Sequence, residues 1–298
     1  MTRKPVHVGA LLAAVTLLWV TACGVQSDPE TPDSSEAERS ASLEPAAKAH
    51  YLANAGVLIV SGETKVVFDP LFRNDYGTYR LLPEDMEQAL FAGEPPLDGI
   101  DAVLISHYHE DHFSPADIIR LLEEQPAIQL YAPVQAVSGM RSIADASQQE
   151  IFDRVTEIAL EYKDAPVTIE AGALTIEAVR IPHSGWPEGR LDVENIAYRV
   201  TLDEATTVLH LGDADTKDVH FAHDAEYWDL RHTDIAFPPY WYFQSEDGRS
   251  VLDHRLKATH AVGVHVPVAI PSDPSKRPDD LQGYDLFTEP GETRDIPR

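Results

Sequence analysis

Apolar and polar positions follow a rhythm of short apolar runs separated by turn-forming residues. Tyr51–Val60 and Lys65–Asp69 are two such runs, and Ser61-Gly62-Glu63-Thr64 between them predicts a hairpin turn. Asp101–Ile105 is short and continuously apolar, the pattern of a strand covered on both faces. Ile128–Ala132, Val155–Tyr162, Val167–Glu170 and Leu174–Ile181 predict further strands, and Glu194–Leu202 with Thr206–Leu211 a second hairpin around Asp203-Glu204-Ala205. A helix is expected over Ala116–Glu123, behind a Ser114 N-cap with Pro115 at the first helical position. Two more helices are expected at Val219–Leu230 and near Val251–Ala258, with strands at Asp234–Phe237 and Ala261–Val266. Helices interleaved with many strands imply layers of sheet covered by helices.

The pattern fails at both ends. Residues 1–22 open with Arg3 and Lys4 and continue into an apolar run from Gly9 to Val20, the form of a secretory signal. That run is shorter than the roughly 20 residues of a comfortable membrane span. It closes in Val20-Thr21-Ala22-Cys23-Gly24, which resembles a bacterial lipobox, in which the cysteine is lipidated and becomes the mature N-terminus. The resemblance implies export to the cell envelope and a lipid anchor on Cys23. Residues 23–47 have almost no aliphatic and no aromatic side chains and predict an acidic flexible tether. The folded domain is expected over 48–270, and 271–298, rich in Pro and Asp, reads as a C-terminal tail.

Composition narrows the function. The 298 residues are 43% hydrophobic, which rules out disorder of the whole chain and supplies a real core. Lys+Arg number 23 against 50 Asp+Glu, a formal charge of −27 that argues against clamping nucleic acid. A single Cys excludes an internal disulfide framework and a Cys-rich zinc module. The 13 His make the generous residue type, and their placement carries the chemistry.

His107-Tyr108-His109-Glu110-Asp111-His112 follows the Asp101–Ile105 strand directly. Three imidazoles and two carboxylates so close together have no packing rationale, because burying them costs free energy and protonated neighbours repel. A divalent cation removes that cost, since neutral imidazole and carboxylate are its ligands. His107 and His109, two apart in an extended stretch, project to one side and can grip one ion; Asp111 and His112 can reach a second. Glu110 is expected to face solvent.

The hexapeptide resembles the signature of the metallo-β-lactamase superfamily. The other motifs occur in order: His183 in Ile181-Pro182-His183-Ser184, Asp213 in Leu211-Gly212-Asp213, His265 in Val264-His265-Val266, and Asp69 in Phe68-Asp69-Pro70. The resemblance covers about residues 50–268 and implies an αβ/βα sandwich, two facing sheets with helices outside and the metals at one edge between them. It implies His107, His109 and His183 on one ion, Asp111, His112 and His265 on a second, Asp213 bridging, and Asp69 bracing the site. Such a pair shares a hydroxide of lowered pKa that attacks a carbonyl or phosphorus. Asp111 could orient that nucleophile and pass its proton to the leaving group. The all-His/Asp donor set suits zinc, with manganese and iron as alternatives. His109 stands where oxygen-reducing di-iron relatives carry Glu, which favours hydrolysis.

The stretch Leu52–Ile59 with Phe68-Asp69-Pro70-Leu71 looks most like the branch of ascorbate-phosphate lactonases and N-acyl-phosphatidylethanolamine phosphodiesterases. An ester, lactone or phosphodiester is therefore the expected bond, in a small-molecule or lipid-like substrate. The alternative is a non-catalytic, metal-binding surface lipoprotein. Trp186, Tyr240 and Trp241 are candidate pocket walls. His210 is expected to be structural or to support the ligands, Asn195 to tie down its loop, and His220, His223 and His232 to be solvated. His254 and His260 are candidates to support His265.

Overall fold

A computed structural model describes residues 46–297. The expected signal, Cys23 and nearly all of the expected tether lie outside the described residues. The first sheet holds β1 (Lys48–Ala53), β2 (Gly56–Ser61), β3 (Thr64–Phe68), β4 (Ala102–Leu104), β5 (Gln129–Pro133) and β6 (Val155–Ile158). The second holds β7 (Val167–Ala171), β8 (Leu174–Arg180), β9 (Ile196–Leu202), β10 (Thr206–His210), β11 (Ile235–Phe237) and β12 (His260–Gly263). Two short late strands, β13 (Asp285–Leu286) and β14 (Thr293–Asp295), complete them. The orders are β14-β1-β2-β3-β4-β5-β6 and β13-β12-β11-β10-β9-β8-β7.

Both faces of the inner strands are buried, so these strands read as continuous apolar runs, while β6 and β7 at the far margins are largely exposed. In β3, Val66 and Phe68 point into a core shared with Tyr198, Val208 and Phe237 of the second sheet. Val67, between them, packs with Ile118, Leu122 and Val137 of the covering helices. The second sheet repeats the alternation: Val208 faces the first sheet, while Leu209 packs against Phe221, Trp228 and Val251. This is the expected four-layer αβ/βα sandwich. Each fully buried Val, Leu or Phe contributes about 1.5–3 kcal/mol.

Several elements differ from expectation. The run Tyr51–Val60 is two strands, broken at Asn54, whose φ of 49° turns the chain. Apolar residues flank the turn on both sides, which hides it in the pattern. The helix expected over Val219–Leu230 is two short ones, Val219–Ala222 and Ala225–Leu230. The last helix starts earlier, at Glu246, and ends in a π-helical turn, Leu252–Leu256, closed by Lys257 with φ 48°. Helices Glu84–Ala92 and Val134–Ile143 are short and interleave apolar with polar residues, and escape a reading based on periodicity.

The segment expected as a tail is part of both sheets. β13 pairs parallel with β12, and β14 pairs antiparallel with β1. Phe287 between them is buried in the central core, stacked on Tyr51 at 4.9 Å. Strands of two and three residues are too short to show a period. Among the described residues no helix is long and apolar enough to cross a membrane.

β4 pairs parallel with β3 and β5, and β10 with β11. β8 and β10 both run antiparallel to β9 and so run the same way. The carboxyl ends of these strands, and the loops that follow, carry the residues singled out above.

Candidate metal centre

The hexapeptide leaves β4 at Ser106 and is anchored on both sides. Ser106 N donates to Asp69 Oδ1 at 2.7 Å, and the Ser106 carbonyl accepts from Ile196 N at 2.9 Å. His183 follows β8 and Asp213 follows β10, joined by Ser184 N donating to the Asp213 carbonyl at 2.7 Å. His265 follows β12 in the left-handed region, φ 59°, where its N–H donates to the Asn54 carbonyl at 2.7 Å. Asn54 Nδ2 in turn donates to the Asp111 carbonyl at 2.8 Å. The Asn54 turn, a break unseen in the apolar pattern, thus ties the two halves together.

These contacts bring all seven predicted ligands into one cluster. His107 Nε2 and His109 Nδ1 lie 3.1 Å apart. One Asp213 oxygen, Oδ2, sits 3.3 Å from His183 Nε2 and 4.0 Å from His107 Nε2. The other, Oδ1, sits 3.2 Å from His112 Nε2 and 3.4 Å from His265 Nε2. Asp111 Oδ2 lies 3.1 Å from His265 Nε2 and 3.8 Å from His112 Nε2. Donors held about 2.0–2.1 Å from a tetrahedral ion stand roughly 3.4 Å from one another, so these spacings suit a metal. His107, His109 and His183 form one candidate group and Asp111, His112 and His265 another; His107, His112 and Asp213 link them. The buried atoms His112 Nε2, His183 Nε2 and Asp213 Oδ1 have no hydrogen-bond partner, a costly arrangement unless a cation completes it.

Outer contacts fix how the rings face. Ser106 Oγ donates to Asp69 Oδ2 at 2.6 Å and therefore accepts from His107 Nδ1 at 3.0 Å. His112 Nδ1 donates to Asp69 Oδ2 at 2.9 Å, and His183 Nδ1 to the Ser184 carbonyl at 2.9 Å. Each ring thus turns the lone pair of its Nε2 toward the centre. Asp69 thus bonds Ser106 and His112 at once. Asn195 accepts from Asp213 N at 2.9 Å and donates to the carbonyls of Ile181 and Leu211, gripping both strand ends that lead to His183 and Asp213. Gly212 makes room for this: with φ 55°, a Cβ there would lie 2.4 Å from Asn195 Oδ1 and 2.6 Å from Ser106 Cβ.

Burial and then its neighbour His112 hold His107 well below the ordinary imidazole range. Burial and then His183 lower His109 to about 4. Burial pushes the Asp213 carboxyl up, but the imidazoles of His265 and His112 more than reverse this and hold it far below the usual range. His112 moves the other way: burial lowers it, and Asp213, Asp111 and Asp69 outweigh burial. Carboxylates thus stay ionised around one imidazole that takes up positive charge, a demand a divalent cation meets.

A cavity of about 430 Å³ opens onto the cluster, lined by Tyr76, Tyr79, Arg190, Trp241 and several of the donors. Trp241, one of the candidate pocket walls, lines this cavity with its ring 5.3 Å from that of His265. Trp186 and Tyr240 do not line this cavity: Trp186 packs edge-on against His220 at 4.7 Å, and Tyr240 against Trp241 at 5.7 Å. Sequence reasoning missed Tyr76, Tyr79 and Arg190, which lie in loops without a motif. It missed Ser106 as well, although its place directly before the hexapeptide was a usable signal.

The remaining histidines sort by contact. His210 is buried, stacked on Phe68, and bonded to the Ala55 carbonyl at 2.8 Å. His220 corrects its expectation of solvation: it is buried, with Nδ1 2.8 Å from the Tyr162 hydroxyl and Nε2 3.3 Å from Asp215. The two-helix break at His223 and Asp224 turns it inward. His223 and His232 are exposed. His254 contacts Ser250 and His260 contacts Asp285, so neither supports His265. Glu110 is exposed and accepts from Asn74.

Residues 64–270 match the family described as Beta-lactamase superfamily domain. UPF0173 protein YddR of Bacillus subtilis (strain 168) is 34% identical over 117 residues, 34% of this chain and 44% of that protein. Protein Rv0786c of Mycobacterium tuberculosis is 27% identical over 167 residues, 55% of this chain and 62% of that protein. The matches span less than two thirds of either relative's length. Among solved structures, Igni18, described as a novel metallo hydrolase from the archaeon Ignicoccus hospitalis, is similar with a TM-score of 0.56 at 17% identity. That match covers 84% of this chain and 98% of Igni18. An isothiocyanate hydrolase from Delia radicum gut bacteria has a TM-score of 0.53 at 17% identity, covering 83% and 98%. These likenesses concern the fold.

Proposed function

The chain belongs to the Beta-lactamase superfamily domain family, and from that membership we propose that it is a dinuclear, metal-dependent hydrolase of an ester, lactone or phosphodiester. The observation that carries this reading is the Asp213 carboxylate, one oxygen facing each of two donor groups. When bound, two divalent cations, zinc by donor type with manganese and iron as alternatives, supply Lewis acidity and a water of lowered pKa. His107, His109 and His183 would hold one cation, Asp111, His112 and His265 the other, and Asp213 both.

The chain's own residues do the rest. Asp69 and Ser106 hold the rings of His107 and His112 with their lone pairs inward. Asp111, held far enough inside by Asn54 to reach the centre, would orient the attacking water and carry its proton on Oδ2 to the leaving group. Trp241 and Tyr79 wall the cavity. The stretch Leu52–Ile59 favours the lactone- and phosphodiester-cleaving branch named above. The lipobox-like Val20–Cys23 favours export and a lipid anchor on Cys23, which would place the enzyme in the cell envelope.

The purified protein is expected to hold two ions per chain by elemental analysis. It should turn over at least one member of a panel of phosphodiesters, lactones, esters and thioesters, with activity lost to a chelator and restored by zinc. Two ions retained with no turnover on any member would instead favour a metal-binding surface protein. Cys23→Ala is expected to move the protein from the membrane to the soluble fraction; unchanged fractionation would remove the anchor.

A further inference from the structure

The metal cavity is not isolated. A second cavity of about 490 Å³ shares Tyr76 and His109 with it and is otherwise lined mainly by Tyr108, Phe113, Pro115 and Gly139. Its two polar members are engaged elsewhere: Glu110 accepts from Asn74 at 3.0 Å, and Gln135 binds the backbone of Asp192 and Glu194 at 2.7 and 2.9 Å. What remains beside the His109 ring is mainly aromatic and apolar surface. Tyr76 and Tyr108 stand 56% and 38% exposed, large aromatic surfaces left uncovered beside a candidate reaction centre. Gly139, on the helix Val134–Ile143, leaves the lobe open, since a Cβ there would meet only Phe113, at an ordinary 3.8 Å.

The metal cavity also holds a cation in need of a partner. The Arg190 guanidinium makes one hydrogen bond among the described residues, Nη1 donating to the Ser184 carbonyl at 3.3 Å, and no ion pair. Arg73, Arg80, Arg199, Arg255 and Arg294 each hold a carboxylate. Arg154, Arg249 and Arg277 also lack a carboxylate among the described residues, but they donate to backbone carbonyls at 2.6–2.9 Å, whereas Arg190 has only its 3.3 Å bond and lines the reaction cavity with His183.

We propose that the substrate is an amphiphilic anion: its scissile group lies at the Asp213 centre, an apolar arm of medium length fills the lobe beside His109, and its negative charge is held by Arg190. This inference rests on the hydrolase reading. An apolar arm contributes roughly fourfold in affinity per buried methylene. A charge-assisted bond to a guanidinium contributes about 10–100-fold.

The test uses four esters, acetyl and octanoyl, each on 4-nitrophenol or on 3-carboxy-4-nitrophenol. Water's oxygen bonds the acyl carbon, the acyl–oxygen bond breaks, and the phenol leaves with the proton. In the metal-loaded full chain, kcat/KM is expected to favour octanoyl over acetyl and carboxylated over neutral leaving groups, each by at least about tenfold. Gly139→Leu should collapse the chain-length ratio and leave the charge ratio standing; Arg190→Gln should do the reverse. Chelator-sensitive turnover in which both variants lower all four rates in parallel, or in which the unaltered protein shows neither preference, would overturn the proposal while leaving the hydrolase reading intact. A panel with no chelator-sensitive turnover would count against that reading. The lobe is then tested by calorimetry with octanoate and acetate: at least about tenfold tighter octanoate, lost in Gly139→Leu, supports it, and equal binding ends it.

Discussion

The loop after β4 carries His107, His109, Asp111 and His112 on one short stretch of backbone, whereas the second sheet supplies His183, Asp213 and His265 from the ends of three different strands. The first half of the centre is therefore held mostly by local geometry and by Asp69. The second depends on the register of β8, β9, β10 and β12, and on Asn195, which bonds to both strand ends leading to His183 and Asp213. A change in the first half should stay local, and a change in the second should spread.

The largest contrast is expected between Asp213→Asn and His109→Ala. The first removes the charge that faces both groups and should empty the centre; the second removes one donor of one group and should leave about one ion per chain. Elemental analysis decides, and equal losses would break the asymmetry. Gly212→Ala comes next. Its Cβ would collide with Asn195 and Ser106 in a backbone region that disfavours it, at a cost of about 2–4 kcal/mol in chemical denaturation. A loss below about 1 kcal/mol would mean that Asn195 gives way freely.

Outer-shell changes should follow. Asn195→Ala and Ser106→Ala are each expected to weaken metal binding by about 10–100-fold, measured by competition with a chromogenic chelator. Asn195→Ala should also weaken retention of both ions, and Ser106→Ala chiefly of the ion on His107. The smallest effect concerns pH in the chelated protein. His107, His109 and His210 all have lowered pKa values when folded, so between pH 6.5 and about 4 the unfolded chain binds more protons. Stability should fall as pH drops through that window. His112, raised when folded, has the opposite sign: its contribution is complete below pH 6.5 and is lost as pH rises through its elevated pKa. Melts from pH 8 to 5, with and without zinc, should show zinc stabilising most at the upper end, where fewer protons compete with it for the imidazoles.

Legibility in the sequence divides along the same line. The hexapeptide announced itself because four donors lie side by side. His183, Asp213 and His265 were each single residues at the end of an apolar run, and only their order along the chain, matched to a known pattern, made them stand out. The supports were quieter. Ser106 and Asn54 act through backbone, hydroxyl and side-chain amide contacts that polar loop residues make everywhere, and Arg190 joins the cavity from a loop with no pattern at all. The strands β1 and β2 merged into one apparent run because both of their faces are buried, and His220 looked solvated because a helix break redirected it.

The late pairing of β13 and β14 has a practical consequence. These two strands close the same margin of both sheets, and Phe287 lies between them like a wedge against Tyr51 and Phe237. A fragment trimmed at residue 270, where the family match stops, would bare aromatic surface and leave two strand margins unzipped, one of them on β12, whose end delivers His265. Such a fragment invites aggregation for reasons unrelated to its chemistry, so expression work on this protein should keep its final segment intact.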